Sequence, residues 1–145
     1  MTSPADQLAA RVAEHMFARE GLAPALGVEI EEVREGYARL AMTVRPDMTN
    51  GHGIVHGGMV FSLADCAFAY ACNSRNVATV AQAASIVFLS AAEAGERLTC
   101  EAVERALEGR SGAYEMTVRS GERVVAVFQG QSRALGTAVI PTGEA

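Results

Sequence analysis

One stretch, Asn50 to Ser74, limits what this chain can fold into more than any other; it reads NGHGIVHGGMVFSLADCAFAYACNS. A glycine-rich loop runs directly into a helical segment, predicted from His56 to Ser74, that carries Phe61, Leu63, Phe68, Tyr70 and many alanines on every side. A helix that is apolar all round is a buried helix. The only carboxylate in it is Asp65. Burying a carboxylate costs several kcal/mol unless it is paired, hydrogen-bonded or neutralised, so one kept there points to a use. Asp65 is therefore the leading catalytic candidate. Its plainer reading is a structural acid, hydrogen-bonded across a helix pair.

The rest of the chain reads as elements that enclose this helix. Ser3 is placed to cap a first helix with Pro4 at its first position, and Leu8, Val12, Met16 and Phe17 fall on one face before Gly21. Leu26 to Val44 then alternates as two strands, with Val28, Ile30 and Val33 in one and Tyr37, Leu40, Met42 and Val44 in the next. Glu35-Gly36 is the hairpin turn between them. Arg45 to Val55 has loop chemistry. After Arg75-Asn76, strands are predicted over residues 77–89, 97–107, 114–118 and 123–134, with turns at Gly109 to Gly112 and at Ser120-Gly121. Residues 1–25 are the first helix and its connection, and residues 136–145 read as a flexible tail. No repeat or linker divides residues 1–145, which read as one domain. This order predicts an α+β fold, a curved antiparallel sheet wrapped around the long central helix with an extra N-terminal helix. Such a sheet keeps edges, and an apolar edge strand invites pairing with a second copy of the chain.

Composition removes several classes of function. The net charge is −5, lysine is absent and the arginines are scattered, which argues against a nucleic-acid partner. Cys66, Cys72 and Cys100 make an odd set with no regular spacing, so they read as reduced thiols of a cytoplasmic protein. No basic start precedes an apolar run, and Asp65 breaks the apolar helix, so neither secretion nor membrane spanning is expected.

Several motifs dissolve on inspection. His52 and His56 are four apart with Asp47 nearby, but His52 sits in a glycine loop and not on a helix face, so no metal site is expected. Gly51, Gly53 and Gly57 miss the dinucleotide fingerprint by one residue, no βαβ unit follows, and the P-loop lysine is absent. No cofactor is called for. Ser62, Ser74 and Ser85 lack a nucleophile-elbow context. Cys66, Cys72, Phe68 and Tyr70 read as packing residues, and Arg75 and Arg110 as solvated surface positions.

Asn50-Gly-His-Gly-Ile-Val-His56-Gly57-Gly58 followed by Phe61-Ser-Leu-Ala-Asp65 resembles the signature of hot-dog-fold acyl-CoA thioesterases, in particular the phenylacetate-degradation thioesterases. The resemblance spans the whole element order, and its specific part is Asn50 to Asn73. It implies hydrolysis of a small, often aryl-acetyl, acyl-CoA such as phenylacetyl-CoA or hydroxyphenylacetyl-CoA to free acid and coenzyme A by a dimer of dimers. The family roles it implies are Asp65 as nucleophile or general base, Gly57 as backbone oxyanion donor, and Asn50 and His56 as substrate-positioning residues. Gly58, Phe61, Thr79 and Gln82 are the candidate substrate-contacting residues. Two rivals stand beside it, a hot-dog hydratase or dehydratase and a non-catalytic acyl-CoA sensor.

Elementary chemistry bears on the same residues. Gly57 opens the helix, where free backbone N–H groups and the positive end of the dipole can polarise a carbonyl. Asp65 lies eight residues on, which at the α-helical rise is roughly 12 Å. That is too far for both to serve one carbonyl carbon. Each site is therefore expected to combine Gly57 of one subunit with Asp65 of its partner. A carboxylate in an apolar interface has a raised pKa, which makes it a stronger base. Plainer readings remain: close packing for Gly57 and Gly58, a helix cap for His56, and a turn for Asn50.

Overall fold

The chain begins with α1, Pro4–Phe17, in a computed structural model that describes residues 2–141 and Gly143. Ser3 caps α1 as expected, its Oγ accepting the Asp6 N–H, and α1 buries Ala9, Val12 and Ala13. A one-turn helix, α2 (Leu22–Ala25), follows where the sequence reading placed only a connection. The strands are β1 (Glu29–Arg34), β2 (Tyr37–Thr43), β3 (Thr79–Phe88), β4 (Arg97–Glu108), β5 (Ser111–Ser120) and β6 (Arg123–Ala134), and α3 is Gly57–Cys72. They form one antiparallel sheet in the order β1-β2-β4-β5-β6-β3. The helix α3 touches all six strands, so the sheet curves around it as the hot-dog reading expects.

The core lies between α3 and the concave face of the sheet. Val60, Leu63, Phe68 and Tyr70 of α3 are buried against a sheet whose own buried side chains include Leu40, Met42, Leu98, Met116 and Phe128. Gly130 of β6 lets α3 come this close, because a Cβ there lies 2.5 Å from the ring of Phe68. The Glu35-Gly36 turn forms where it was read, with Gly36 at φ 71° and Arg34 paired with Tyr37 across it.

Three expectations are corrected. Strand β5 starts at Ser111, not Tyr114, so Gly112 lies within the ladder opposite Ser132. That glycine serves close approach, not the turn: a Cβ there lies 2.6 Å from Ser132 Oγ. The supposed tail is anchored as far as Ile140, which is buried and donates its N–H to Asn76 Oδ1 at 2.7 Å, while the Thr137 carbonyl accepts from Ala78 N–H at 2.8 Å. Of the remaining tail, Thr142, Glu144 and Ala145 lie outside the described residues. Finally, α3 is not covered all round. Gly58 and Phe61 are exposed, and Ser62, Asp65 and Ala69 are only half-buried, so one face is left open by the chain's own sheet.

Strand β3 is an edge of the sheet, and it is apolar and exposed. Val80, Val87 and Phe88 keep 48%, 58% and 53% of their surface open, as does the adjoining Leu89 at 58%. No helix among the described residues is long and apolar enough to cross a membrane.

Candidate active site

The loop before α3 is tied into one shape by Asn50. Its side-chain Oδ1 accepts the N–H groups of His52 (2.9 Å) and Ile54 (3.4 Å), and its own N–H reaches the Ile54 carbonyl (2.8 Å). This is the turn chemistry expected of asparagine. Because the oxygen is consumed inward, the amide NH2 is left for an outside partner. Val55 N–H donates to the Ala92 carbonyl and His56 N–H to the Met48 carbonyl, both at 2.7 Å, which delivers His56 to the helix start.

His56 caps α3. Its Nδ1 accepts the Gly58 N–H at 3.1 Å, so the ring proton sits on Nε2, and its carbonyl takes the N–H groups of Met59 and Val60. The one first-turn N–H with no acceptor among the described residues is that of Gly57. A free donor at the positive end of a helix dipole is suited to an oxyanion. Gly57 and Asn50 line one hollow of about 370 Å³ with Phe88, Leu89 and Ser90.

Asp65 lies on the same stripe of α3, following Gly57 and Phe61 at four-residue steps. It lines a separate hollow of about 190 Å³ with Phe68, Ala69, Cys72, Thr79, Val80 and Ala81. Burial raises its pKa above the ordinary carboxylate value, and the negative Glu20 reinforces the rise; no hydrogen bond offsets either. One protomer thus brings Asn50 to Gly57 and Thr79 to Asp65 but keeps the two pairs apart.

The remaining candidates scatter around these hollows. Phe61 is 38% exposed and packs edge-on against Phe128 at 5.0 Å between ring centres. Gly58 is exposed beside the His56 ring. Gln82 is in neither hollow: it is the extra residue of a bulge in β3 and lines a different depression with Ala106, Gly112 and Gln131. Within one protomer it therefore shares no hollow with Asp65 or Gly57. Arg75 is no solvated cation, being paired with Glu104 and Glu35. A hollow of about 620 Å³ between α1 and β1 contains none of the candidates.

Glu20 is the residue that the sequence reading missed. Its carboxylate accepts from Ala23 N–H (2.6 Å), Tyr70 OH (2.9 Å) and Cys66 Sγ (3.9 Å). Its one local partner is the Ala23 N–H three residues on; Cys66 and Tyr70 come 46 and 50 residues later. Tyr70 is accordingly a tether as well as a packing residue.

The profile of the family described as the thioesterase superfamily matches residues 52–127, which include the capped helix start and Asp65. The chain belongs to the thioesterase superfamily. It is 44% identical over 134 residues to the acyl-coenzyme A thioesterase PaaI of Escherichia coli, a match covering 92% of this chain and 94% of that protein. A putative esterase of Archaeoglobus fulgidus is 37% identical over 130 residues, covering 89% of this chain and 84% of its own. The structure of the E. coli PaaI protein from the phenylacetic acid degradation operon superimposes with a TM-score of 0.91 at 41% identity, over 92% of this chain and 98% of that one. The hot-dog fold and the thioester-hydrolase reading drawn from the loop and helix are borne out. A thioesterase has to polarise a carbonyl and bring an oxygen to its carbon, and the two hollows present one group suited to each task.

Proposed function

We propose that the chain hydrolyses small aryl-acetyl-CoA thioesters to free acid and coenzyme A, at a site built from Gly57 of one protomer and Asp65 of its partner. The observation that carries this reading is the pair of unclaimed groups on α3, a backbone N–H at Gly57 and a carboxylate at Asp65, two turns apart. The ends of β3 supply the geometry. Phe88, at its C-terminal end, borders the Gly57 hollow, and Thr79 to Ala81, at its N-terminal end, border the Asp65 hollow. Antiparallel pairing of two β3 edges sets the C-terminal end of one against the N-terminal end of the other, so each Gly57 hollow meets the partner's Asp65 hollow. The same pairing covers Val80, Val87 and Phe88.

In the proposed reaction the thioester carbonyl oxygen accepts from Gly57 N–H. Asp65 takes a proton from water as the water oxygen bonds to the carbonyl carbon. Collapse of the tetrahedral intermediate breaks the C–S bond, and the proton passes to the departing sulfur. Asn50 NH2 and His56 Nε2–H are the proposed positioning donors, with Gly58, Phe61 and Thr79 along the acyl path. The similarity to the E. coli PaaI protein of the phenylacetic acid degradation operon supports a place in phenylacetate breakdown, and the three free cysteines support the cytoplasm as its proposed location.

The test is thiol release from a panel of aryl-acetyl and alkyl acyl-CoAs by the native protein and by Asp65→Asn, with fold and dimer checked alongside. Fast release on aryl-acetyl substrates, lost by roughly 10²–10⁴-fold in the folded variant, is the expected result. Acyl-CoA that binds and is never cleaved would overturn the enzyme and favour a sensor.

A further inference from the structure

We infer that the acyl site runs on past Asp65 into a second hollow at the end of α3, where Ser132 and Arg110 receive the carboxylate tip of a longer acyl group, so that ω-carboxyacyl-CoA thioesters are substrates as well. The inference rests on the proposed reading of Asp65 and extends it to a further class of substrate. It starts from two hollows that adjoin. The second, about 140 Å³, shares Cys72 and Thr79 with the hollow of Asp65. Cys72 lies seven residues beyond Asp65, which is roughly 10 Å along the helix. An aryl-acetyl group, one ring on one methylene, is shorter than that span and ends in the first hollow. Only a longer acyl group enters the second. Gly112 makes the room there, because a Cβ on it would lie 2.6 Å from Ser132 Oγ and 2.9 Å from both Leu107 and Tyr114, three residues that line the hollow.

The second hollow offers donors without a countercharge. Ser132 is 2% exposed, yet its Oγ enters no hydrogen bond among the described residues. Every sealed side-chain oxygen and nitrogen among those residues has a partner, so the unpartnered Ser132 Oγ is not sealed and faces the hollow it lines. Arg110, exposed at the turn between β4 and β5, lines the same hollow and belongs to no ion pair among the described residues. No Asp or Glu lines it, in a chain where 17 acids outnumber 12 arginines. The other polar walls bring no negative charge. Burial pushes the Cys72 thiol up to about 12, and Tyr114 donates its OH to Glu104, whose charge Arg75 matches through both oxygens. A carboxylate is the tip that accepts from a hydroxyl and a guanidinium together. An apolar tip would leave the Ser132 hydroxyl buried with no partner, at a cost.

The experiment measures kcat/KM for thiol release from phenylacetyl-, octanoyl-, ω-hydroxyoctanoyl- and octanedioyl-CoA by the full-length native protein, Ser132→Ala and Arg110→Met. The native protein is expected to favour octanedioyl-CoA over octanoyl-CoA by about tenfold or more, the scale of a hydrogen bond to a charged group. That ratio should fall several-fold in each variant. Because it compares two substrates of one protein, a general loss from imperfect folding cancels. A native ratio near one, or a ratio that both variants leave unmoved, overturns the inference; ω-hydroxyoctanoyl-CoA cleaved as well as octanedioyl-CoA overturns the carboxylate. Release from none of the four, phenylacetyl-CoA included, would instead strike the thioesterase reading. Calorimetric binding of octanedioyl-CoA against octanoyl-CoA would then decide the inference by the same ratio.

Discussion

Gly57 and Asp65 stand on one stripe of α3 with Phe61 between them, and neither the N–H of the first nor the carboxylate of the second has a partner among the described residues of its own protomer. The α-helical rise holds them roughly 12 Å apart, so the two cannot reach one carbonyl carbon within a chain, and the proposed site joins two chains. Gly57→Pro removes the N–H, and its Cβ, 3.0 Å from the exposed Phe88 ring, requires that ring to turn aside. Proline is favoured at the first helical position, and His56 already has the extended φ of −67° and ψ of 136° that a following proline requires. Gly57→Pro and Asp65→Asn are each expected to be inactive. Refolded together, half of the dimers are mixed and each holds one intact site, so about a quarter of native activity should return. A mixture as inactive as its parts would show that the site lies within one chain.

Asp65 is expected to weaken the fold at neutral pH. Its pKa is raised in the folded state, so folding takes up a proton, and stability falls as pH rises from the unfolded value through the folded one. Asp65→Asn should therefore melt a few degrees above native at pH 7, with the gap closing below the ordinary carboxylate range. Thermal melts across pH decide this. A variant that melts lower at pH 7 would show that the partner chain stabilises the charge.

Packing at β6 is equally open to trial. Gly130→Ala puts a methyl group against the buried Phe68 ring, which is itself wedged against Phe128 and Tyr114. Overpacking of this kind costs about 1–3 kcal/mol. Denaturant melts measure the loss, and Gly130→Ala with Phe68→Leu should recover part of it.

Glu104 is joined to Arg75 through both carboxylate oxygens and to Tyr114 OH at 2.9 Å. These bonds, Arg75 first, hold its pKa below the ordinary value. Arg75→Met keeps the aliphatic stem and is expected to cost about 1–2 kcal/mol, a modest figure because the guanidinium is partly open to water. A depressed pKa stabilises above the unfolded value and ceases to do so as pH falls through the folded one. The difference between native and variant should accordingly shrink in acid, as urea melts at pH 7 and below pH 4 will show.

Much of this was legible along the chain because it depends on near neighbours. Alternation marked the strands, Ser3-Pro4 marked α1, and Glu35-Gly36 marked its hairpin, each a local pattern with a local cause. Gly112 and the tail were misread for the converse reason. A glycine that makes room for Ser132, and an Ile140 held by Asn76, have partners far away in sequence.

The sequence by itself determined that an apolar helix would sit inside a curved sheet, that Asp65 would be its only charge, and that eight residues would part it from Gly57. Helical periodicity and the cost of burying charge are enough for that. Only the tertiary structure decided which face of α3 stays open, that His56 caps the helix while Gly57 keeps a free N–H, and that Glu20 arrives at Cys66 and Tyr70. Those outcomes turn on which distant groups meet a donor or an acceptor, and the fold alone brings such groups together.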